Sequence, residues 1–379
     1  MKSAISLFII LGVMQAFGPL TKAGGGRAGQ GGSPQASEAV AVIEGLDPVM
    51  LVQGREVQGD QKIFVIRGRF QYLFANAENK ALFEKDPERY EIQLGGSCAR
   101  MGPPVGGNPD LYTVYKERIY IFGSPDCLKV FKAAPEKFVE PEPSAARAAA
   151  TPEALKRGRS LIEKAVAATG GAAKLDGLVS YEENAATMQS RPKGDVEVKS
   201  TLTVVFPDSI RLERVAPDFR DVSVLTPSDA FTFYRVPRTM PDAVRAERSR
   251  YFKRSLLSVL RARNATGFEA AVAGSAKAGD TSVEQVAVSF DGVSLNLGID
   301  PATGRVLSLS YRGRGPDGTV GEVVQTFSDF REVGGLTLPF KVTATHNGQP
   351  FRDQSRAVES IIINGQVAPE AFARPKAAQ

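Results

Sequence analysis

The chain of 379 residues has no tryptophan, a single histidine (His346) and two cysteines, Cys98 and Cys127. A structural zinc site takes four Cys or His ligands, so these counts argue against a zinc-type or multi-histidine centre. They also disfavour Ser-His-Asp hydrolysis, since no G-x-S-x-G nucleophile motif accompanies His346. We therefore predict no catalytic residue, and we predict His346 to be a solvated histidine in a hairpin turn.

A strong charge of one sign and long apolar runs are also missing. The 47 basic and 42 acidic side chains leave a net charge of +5, a mildly cationic surface that does not demand nucleic acid. Aromatic and basic residues do not interleave on a predicted sheet, so we predict no nucleic-acid partner. Beyond the N-terminus, no stretch approaches the roughly 20 apolar residues that a membrane helix needs.

Residues 1–23 are typical of an export signal. Lys2 precedes an apolar run from Ala4 to Met14, and Thr21-Lys22-Ala23 offers a cleavage site with small residues. We expect an exported, soluble protein of the periplasm or cell envelope, an oxidising compartment in which two cysteines can pair. The alternative is an uncleaved N-terminal anchor, because the cleavage motif is imperfect.

Composition divides the remaining chain into two modules. Residues 24–39 are rich in Gly and Ser and predict a flexible linker. A compact module over residues 40–139 follows. A second linker, rich in Pro and Ala, covers residues 140–150 and leads into the second module, residues 151–375.

The first module contains one pattern twice, at an offset of 48 positions. Each copy predicts an extended segment followed by a short helix, capped by Asn76 in the first copy and by Ser124 in the second. We predict that the matching aromatic residues Phe83 and Phe131 are core, because each small unit must bury one face against the other. The two copies read YLFANAENKALFEKDPERYE and YIFGSPDCLKVFKAAPEKFVE.

The two thiols are the nearest feature to a chemical site. Cys127 is the third residue of the second helix, where the positive end of the helix dipole favours thiolate. Cys98 lies in a glycine-rich turn. Three alternatives stay open: a Cys98–Cys127 disulfide, which we favour, separate inert thiols, or a soft-metal site for which Cu(I) is the best chemical match. Thiol redox catalysis ranks last, because C-x-x-C spacing is missing.

The first module resembles a YHS domain. The resemblance covers about 100 residues and rests on GLDPVMLVQGREVQG (Gly45 to Gly59), GGSCA and the two repeated strings. YHS domains are related to the metal-handling TRASH modules, so the resemblance implies a structural or metal-related role. Cys98 matches the cysteine of the family's Gly-Gly-x-Cys-Ala segment. Cys127 matches the second thiol of the TRASH pattern, whose first thiol is replaced here by Gly123.

In the second module the apolar period changes to two from about Leu178. Successive strands joined by short turns predict a large, curved antiparallel meander with two helices on one face. The first helix follows the capping residue Thr151 and stops at Gly170-Gly171, and the second runs from about Pro241 to Arg263. The candidate strands are 196–206, 209–215, 221–225, 230–236, 282–290, 293–299, 305–312, 320–330 and 337–345.

The second module resembles the Lol-type lipoprotein-carrier fold, LolA/LolB-like. The resemblance rests on the opening helix that ends in Gly-Gly, and on IDPATGRVLSLSYRG (Ile299 to Gly313) followed by FSDFREVGGLTLPFKV (Phe327 to Val342). It implies a half-barrel around a helix, with an apolar interior that accepts acyl chains. The predicted fold class is thus α+β, a duplicated hairpin-helix YHS module followed by a curved antiparallel half-barrel covered by helices.

The helix predicted over residues 241–263 is rich in arginine on one side. A basic amphipathic helix can rest on an anionic membrane surface, which would be a peripheral membrane contact. We favour a lid whose basic side faces water, because Asp242 and Glu247 dilute the charge. The apolar residues that we predict to face the cavity and bind the ligand are Phe252, Leu256, Val259 and Leu260.

These features predict an exported, non-enzymatic binding protein of the cell envelope. Its partners would be a lipid or lipoprotein acyl chain in the second module and an envelope protein. The alternative is a soft-metal protein of copper type, which binds or senses its metal through Cys98 and Cys127 and uses the half-barrel as a docking scaffold. We predict no other cofactor.

Overall fold

The computed structural model describes residues 39–103, 105–139, 150–191, 194–234 and 236–375. The predicted export signal and, apart from residues 39 and 150, the two predicted linkers lie outside the described residues. Within those ranges, no helix has the length and apolar character needed to cross a membrane.

The first module is built from two hairpin-helix units. Strands β1, β3 and β2 form one sheet in that order, and β4 pairs with β5 in a second, two-stranded sheet. The strands are β1 (Val40–Ala41), β2 (Asp60–Arg67), β3 (Phe70–Phe74), β4 (Asn108–Tyr115) and β5 (Arg118–Phe122). The helices are α1 (Pro48–Val52), α2 (Ala77–Lys85), α3 (Pro87–Tyr90) and α4 (Pro125–Ala133).

The predicted repeat is confirmed at its helix starts and in its core. The Asn76 side chain accepts a hydrogen bond from the backbone amide of Asn79 at 2.8 Å. At the same place in the second copy, Ser124 accepts from the amide of Cys127 at 3.2 Å. Phe83 and Phe131 are completely buried, one in the core of each unit.

The second module is one large open sheet with helices. Its helices are α5 (Pro152–Thr169), α6 (Ala172–Asp176), α7 (Asp242–Lys253) and α8 (Leu256–Arg261). Its first strands are β6 (Ser180–Arg191), β7 (Gly194–Val205), β8 (Ser209–Ala216), β9 (Phe219–Leu225), β10 (Ala230–Phe233) and β11 (Pro237–Thr239). The later strands are β12 (Glu269–Ala278), β13 (Thr281–Phe290), β14 (Val293–Ile299), β15 (Val306–Arg314), β16 (Val320–Val333), β17 (Leu336–His346), β18 (Gln349–Pro350) and β19 (Arg356–Ile363).

The strand order places a helical lid over the sheet. The order is β11-β10-β9-β8-β7-β6-β19-β17-β16-β15-β14-β13-β12, with β18 paired to β17, so two antiparallel meanders are joined by the last strand, β19. Edge strands β11 and β12 lie at opposite ends of this order. Because α7 and α8 connect them, these helices must cross a face of the sheet. The α+β class with a curved antiparallel half-barrel is confirmed.

Helix α5 begins and ends as predicted and packs closely on the sheet. Thr151 caps it by accepting from the amide of Ala154 at 3.2 Å, and Gly170 ends it in the left-handed region with φ 133°. Gly158 allows the close approach to β12, because a Cβ at this position would lie 2.5 Å from the carbonyl oxygen of Ala270. Leu161 and Ile162 are fully buried in the largest core.

The single helix predicted over residues 241–263 is wrong, because the chain forms two helices and a short 3-10 turn there. Helix α7 ends at Lys253, and the Ser255 side chain accepts from the amide of Ser258 at 3.4 Å to begin α8. A serine that caps a new helix offers the backbone an alternative to continuing the old one. The 3-10 turn follows at Ala262–Asn264.

The prediction of a solvated His346 is also wrong. Strand β17 continues to this residue, and the turn falls on Asn347 and Gly348, which both have positive φ. The imidazole is only 6% exposed and its ring lies 6.2 Å from that of Phe351. Its Nε2 atom has no hydrogen-bond partner within the described parts of the chain.

Candidate functional site

A cavity of about 290 Å³ lies between the sheet and the helices that cross it. Strands β6 to β9, β16, β17 and β19 form its floor and walls, and α7 with the start of α8 covers it. We call it the lid cavity. The strand residues that line it alternate along the chain, as for Leu202 and Val204 on β7, because every second side chain of a strand points to the same face.

Two of the four residues predicted to bind ligand line the lid cavity. Phe252 and Leu256 are part of its wall. Val259 and Leu260 are instead fully buried in the main core, among residues of α5, α6 and the sheet. Because α8 is a separate helix, only its start lines the cavity, and its later apolar residues pack into that core.

The lid is tied to the sheet at the edge of the cavity. Arg245 of α7 donates to the carbonyl oxygens of Thr226 and Pro227 at 2.9 and 2.8 Å. Lys253, at the end of the same helix, contacts the carboxylate of Asp291 at 2.5 Å. These two cations of the cavity lining therefore already have protein partners.

An ion pair within the cavity is the main feature that the sequence did not predict. The Arg356 Nε donates to Glu183 Oε1 at 2.7 Å, and the Tyr181 hydroxyl donates to Glu183 Oε2 at 2.5 Å. Burial, reinforced by the charge of Glu183, raises the pKa of Tyr181 well above its ordinary value, so this hydroxyl keeps its proton. Burial alone would lower the pKa of Arg356, but the Glu183 carboxylate raises it overall.

The sequence signal for the ion pair of Glu183 and Arg356 was a break in the apolar alternation of a strand. Strand β6 was not predicted, because one of its inward positions is the charged residue Glu183 and the apolar alternation breaks there. A strand that breaks a local rule in this way often marks a functional position. Strand β19, which begins with Arg356, was also missed, and so was β12, which is rich in small residues.

The two thiols lie together in the first module, as the repeat suggested. Cys98 is fully buried and Cys127 is 9% exposed, and both are free thiols. The Nη1 atom of Arg100 lies 3.9 Å from the Cys127 sulfur. Within the described residues, no group of three or more His, Cys, Asp or Glu side chains could hold a metal ion.

The environments of the two thiols shift their pKa values in opposite directions. Burial raises the pKa of the Cys98 thiol, although backbone hydrogen bonds, the first from Gly123, oppose this. Burial would raise the pKa of Cys127 too, but hydrogen bonds from Ser124, Arg100 and Cys98 outweigh it and lower the pKa. Cys127 is thus the more readily ionised thiol, and the favoured disulfide, which is not formed here, stays a prediction.

Gly123 lies where the TRASH pattern, to which the first module was compared on sequence, has its first thiol. A Cβ at this position would lie 3.9 Å from the Cys98 sulfur and 3.2 Å from the carbonyl oxygen of Gly106. A third sulfur at this position would therefore be directed towards the thiol pair.

The loop that carries Cys98 also contacts the second module. Arg314, at the end of β15, donates to the carbonyl oxygens of Ala99 and Gly318 at 3.4 and 2.9 Å. Gly318 lies so close to the first module that a Cβ there would be 2.1 Å from the carbonyl oxygen of Arg100. The β15–β16 hairpin is therefore in contact with the backbone next to the thiols.

Comparisons with known proteins give structural neighbours of low sequence identity. A putative outer membrane lipoprotein-sorting protein domain from Vibrio parahaemolyticus covers 58% of this chain and 97% of its own, at 9% identity and a TM-score of 0.36. A DUF1329 family protein from Desulfovibrio piger covers 58% and 97%, at 10% identity and a TM-score of 0.37. A LolA superfamily protein from Nitrosomonas europaea covers 57% and 97%, at 11% identity and a TM-score of 0.34.

These TM-scores are all below 0.5, so nothing about function follows from the likeness. No family model matches the sequence, and no curated protein matches it either. The YHS resemblance of the first module therefore stays a prediction.

Proposed function

We propose that this chain is an exported binding protein of the cell envelope whose lid cavity holds an acyl chain of a lipid or lipoprotein. The observation that carries the proposal is a cavity of about 290 Å³ whose lining is mainly apolar and which is covered by two helices. Burial of the alkyl chain supplies affinity here, since each methylene removed from water contributes about 0.8 kcal/mol. In this proposal the protein binds and releases its ligand without a chemical step.

The connection of the lid supports a carrier role. Helices α7 and α8 are joined through Arg254 and Ser255, so the lid can bend between them without breaking either helix. The bonds from Arg245 to the carbonyl oxygens of Thr226 and Pro227 must break if α7 lifts. Entry and release of the ligand would then depend on breaking these hydrogen bonds of Arg245.

Native mass spectrometry of the purified full chain with phospholipid tests the proposal. We expect bound lipid on the wild type and its loss on Ser249→Trp, which fills the cavity from α7. Ala246→Trp, on the exposed side of the same helix, is the matched control and should bind as the wild type does. Equal lipid uptake by all three proteins, or none by the wild type, would contradict the proposal.

The second candidate function is soft-metal binding or sensing. It is favoured by two neighbouring thiols, one of which has a lowered pKa and lies beside the Arg100 guanidinium. Thiolate sulfur suits soft metals such as Cu(I), and two sulfur ligands without a third donor do not suit structural zinc. When bound, the metal would be held by Cys98 and Cys127, while Arg100 would offset the negative charge of the thiolates.

Thiol titration of protein isolated without reductant tests this candidate. Metal binding predicts two thiols that are protected until a chelator removes the metal, together with copper in elemental analysis. A double variant, Cys98→Ser with Cys127→Ser, should contain no copper. A wild type with no free thiol and no metal would instead support the disulfide.

A further inference from the structure

Arg356 has hydrogen-bond donors that the described protein leaves unused. Its Nε is bound to Glu183, but neither Nη1 nor Nη2 has a hydrogen-bond partner among the described residues. The side chain is 29% exposed, although it lies beneath the lid and forms part of the cavity wall. Because Arg356 lines the lid cavity, the accessible part of its side chain is open to the interior of that cavity.

Neither carboxylate of the cavity lining accepts a hydrogen bond from Nη1 or Nη2 of Arg356 in the described part of the chain. Both oxygens of Glu183 are already used, one by Arg356 Nε and the other by the Tyr181 hydroxyl. Asp208, the other carboxylate of the lining, lies exposed at the rim. A ligand that fills the cavity removes water from these donors, so one that brings an oxygen acceptor gains over one that does not.

We propose that the lid cavity selects acyl ligands by a carbonyl or carboxylate oxygen that accepts hydrogen bonds from Nη1 and Nη2 of Arg356. This inference rests on the proposed function and names its ligand class, which is an alkyl chain with a carbonyl or carboxylate group at one end. The planar fork of a guanidinium suits two such bonds. A free fatty acid and a lipid ester share this chemistry, whereas an alkane of equal length lacks it.

The experiment uses the full chain and displacement of the neutral fluorescent probe N-phenyl-1-naphthylamine from the cavity. The three competitors are dodecanoic acid, methyl dodecanoate and dodecane. We expect the wild type to prefer the acid or the ester over dodecane by at least about tenfold, equivalent to about 1.4 kcal/mol. A preference for the acid points to free fatty acid as the source, and an equal or greater preference for the ester points to a lipid ester.

The variants remove the donors while keeping the buried charge balanced. Arg356→Met alone leaves Glu183 unpaired, so the decisive protein is Arg356→Met with Glu183→Gln, in which the amide still accepts from Tyr181. In this double variant the acid, the ester and dodecane should displace the probe with equal strength. Arg356→Lys keeps the charge without the planar fork, and we expect it to retain only part of the preference.

The outcomes separate this inference from the proposed function. Displacement by all three competitors with equal strength in the wild type would overturn the role of Arg356 but leave the cavity as an acyl site. A preference for oxygen that persists in the double variant would do the same. If the probe does not bind, or no competitor displaces it, both proposals fail.

Discussion

The two modules bury their apolar side chains in opposite ways. The first module fills its space with aromatic rings, as where Phe131 contacts Tyr120 and Phe122 at ring distances of 5.5 and 5.0 Å. The second module curves a sheet of 14 strands and leaves a space of about 290 Å³ beneath its lid. A small duplicated unit can be filled by a few large side chains, whereas a wide curved sheet is closed by helices that cannot reach all of its face.

Polar groups are used differently as well. In the first copy of the repeat, Asn79 donates to the buried Asp47 at 2.7 Å, which joins α2 to α1. In the second copy the equivalent residue is Cys127, whose sulfur lies 3.9 Å from Nη1 of Arg100. One helix start therefore supports the fold, and its duplicate is available for chemistry.

The largest expected effect contrasts the filled module with the hollow one. Phe131→Ala should lower the free energy of unfolding of the first module by about 3–5 kcal/mol, because a fully buried ring leaves a cavity behind. Phe252→Ala should cost less, because that ring already borders a cavity. Denaturant unfolding followed by circular dichroism measures both. Equal losses would show that the lid cavity is filled with protein in solution.

The next effect concerns Asp47, the polar centre of the first copy. Its carboxylate accepts from the amides of Val49 at 2.9 Å and Ala75 at 2.8 Å, as well as from Asn79. Asp47→Ala leaves buried donors without an acceptor and should lower the free energy of unfolding by roughly 3 kcal/mol. Asp110→Ala, which removes one exposed acceptor, should change it by less than about 0.5 kcal/mol. A tolerated Asp47→Ala would mean that Asn79 has no structural role.

A third prediction adds the sulfur that the second copy lacks. Gly123→Cys directs a third thiol towards Cys98 and should tighten Cu(I) binding by at least about tenfold, measured by competition with a chromophoric chelator. The matched control is Gly106→Cys, because a Cβ there meets no atom within 4 Å. Unchanged affinity in Gly123→Cys would place metal binding away from the thiol pair.

The smallest effect is on thiol reactivity. Arg100→Leu removes a donor and a positive charge beside Cys127, so the pKa of this thiol should rise and its alkylation by iodoacetamide at neutral pH should slow. Lys129→Leu is the control and should leave the pH profile of alkylation unchanged, since Lys129 does not contribute to the pKa shift of Cys127. A profile unaffected by Arg100→Leu would assign the low pKa to the helix start alone.

Local structure was predictable where the cause is local. The caps at Asn76, Ser124 and Thr151, and most strands of the second module, follow from features within a few residues. The prediction failed where neighbours compete: Ser255 caps a new helix inside an apparently continuous one. It failed again at β6, where the inward Glu183 interrupts the apolar alternation by which a strand is recognised.

The sequence by itself determined the repeat and the meander, because period, caps and turn residues act over short distances. Only the tertiary structure decided that Arg356 meets Glu183, 173 positions away, inside a cavity. That contact exists because the last strand pairs with the first strand of the sheet, and no short-range preference encodes such a pairing.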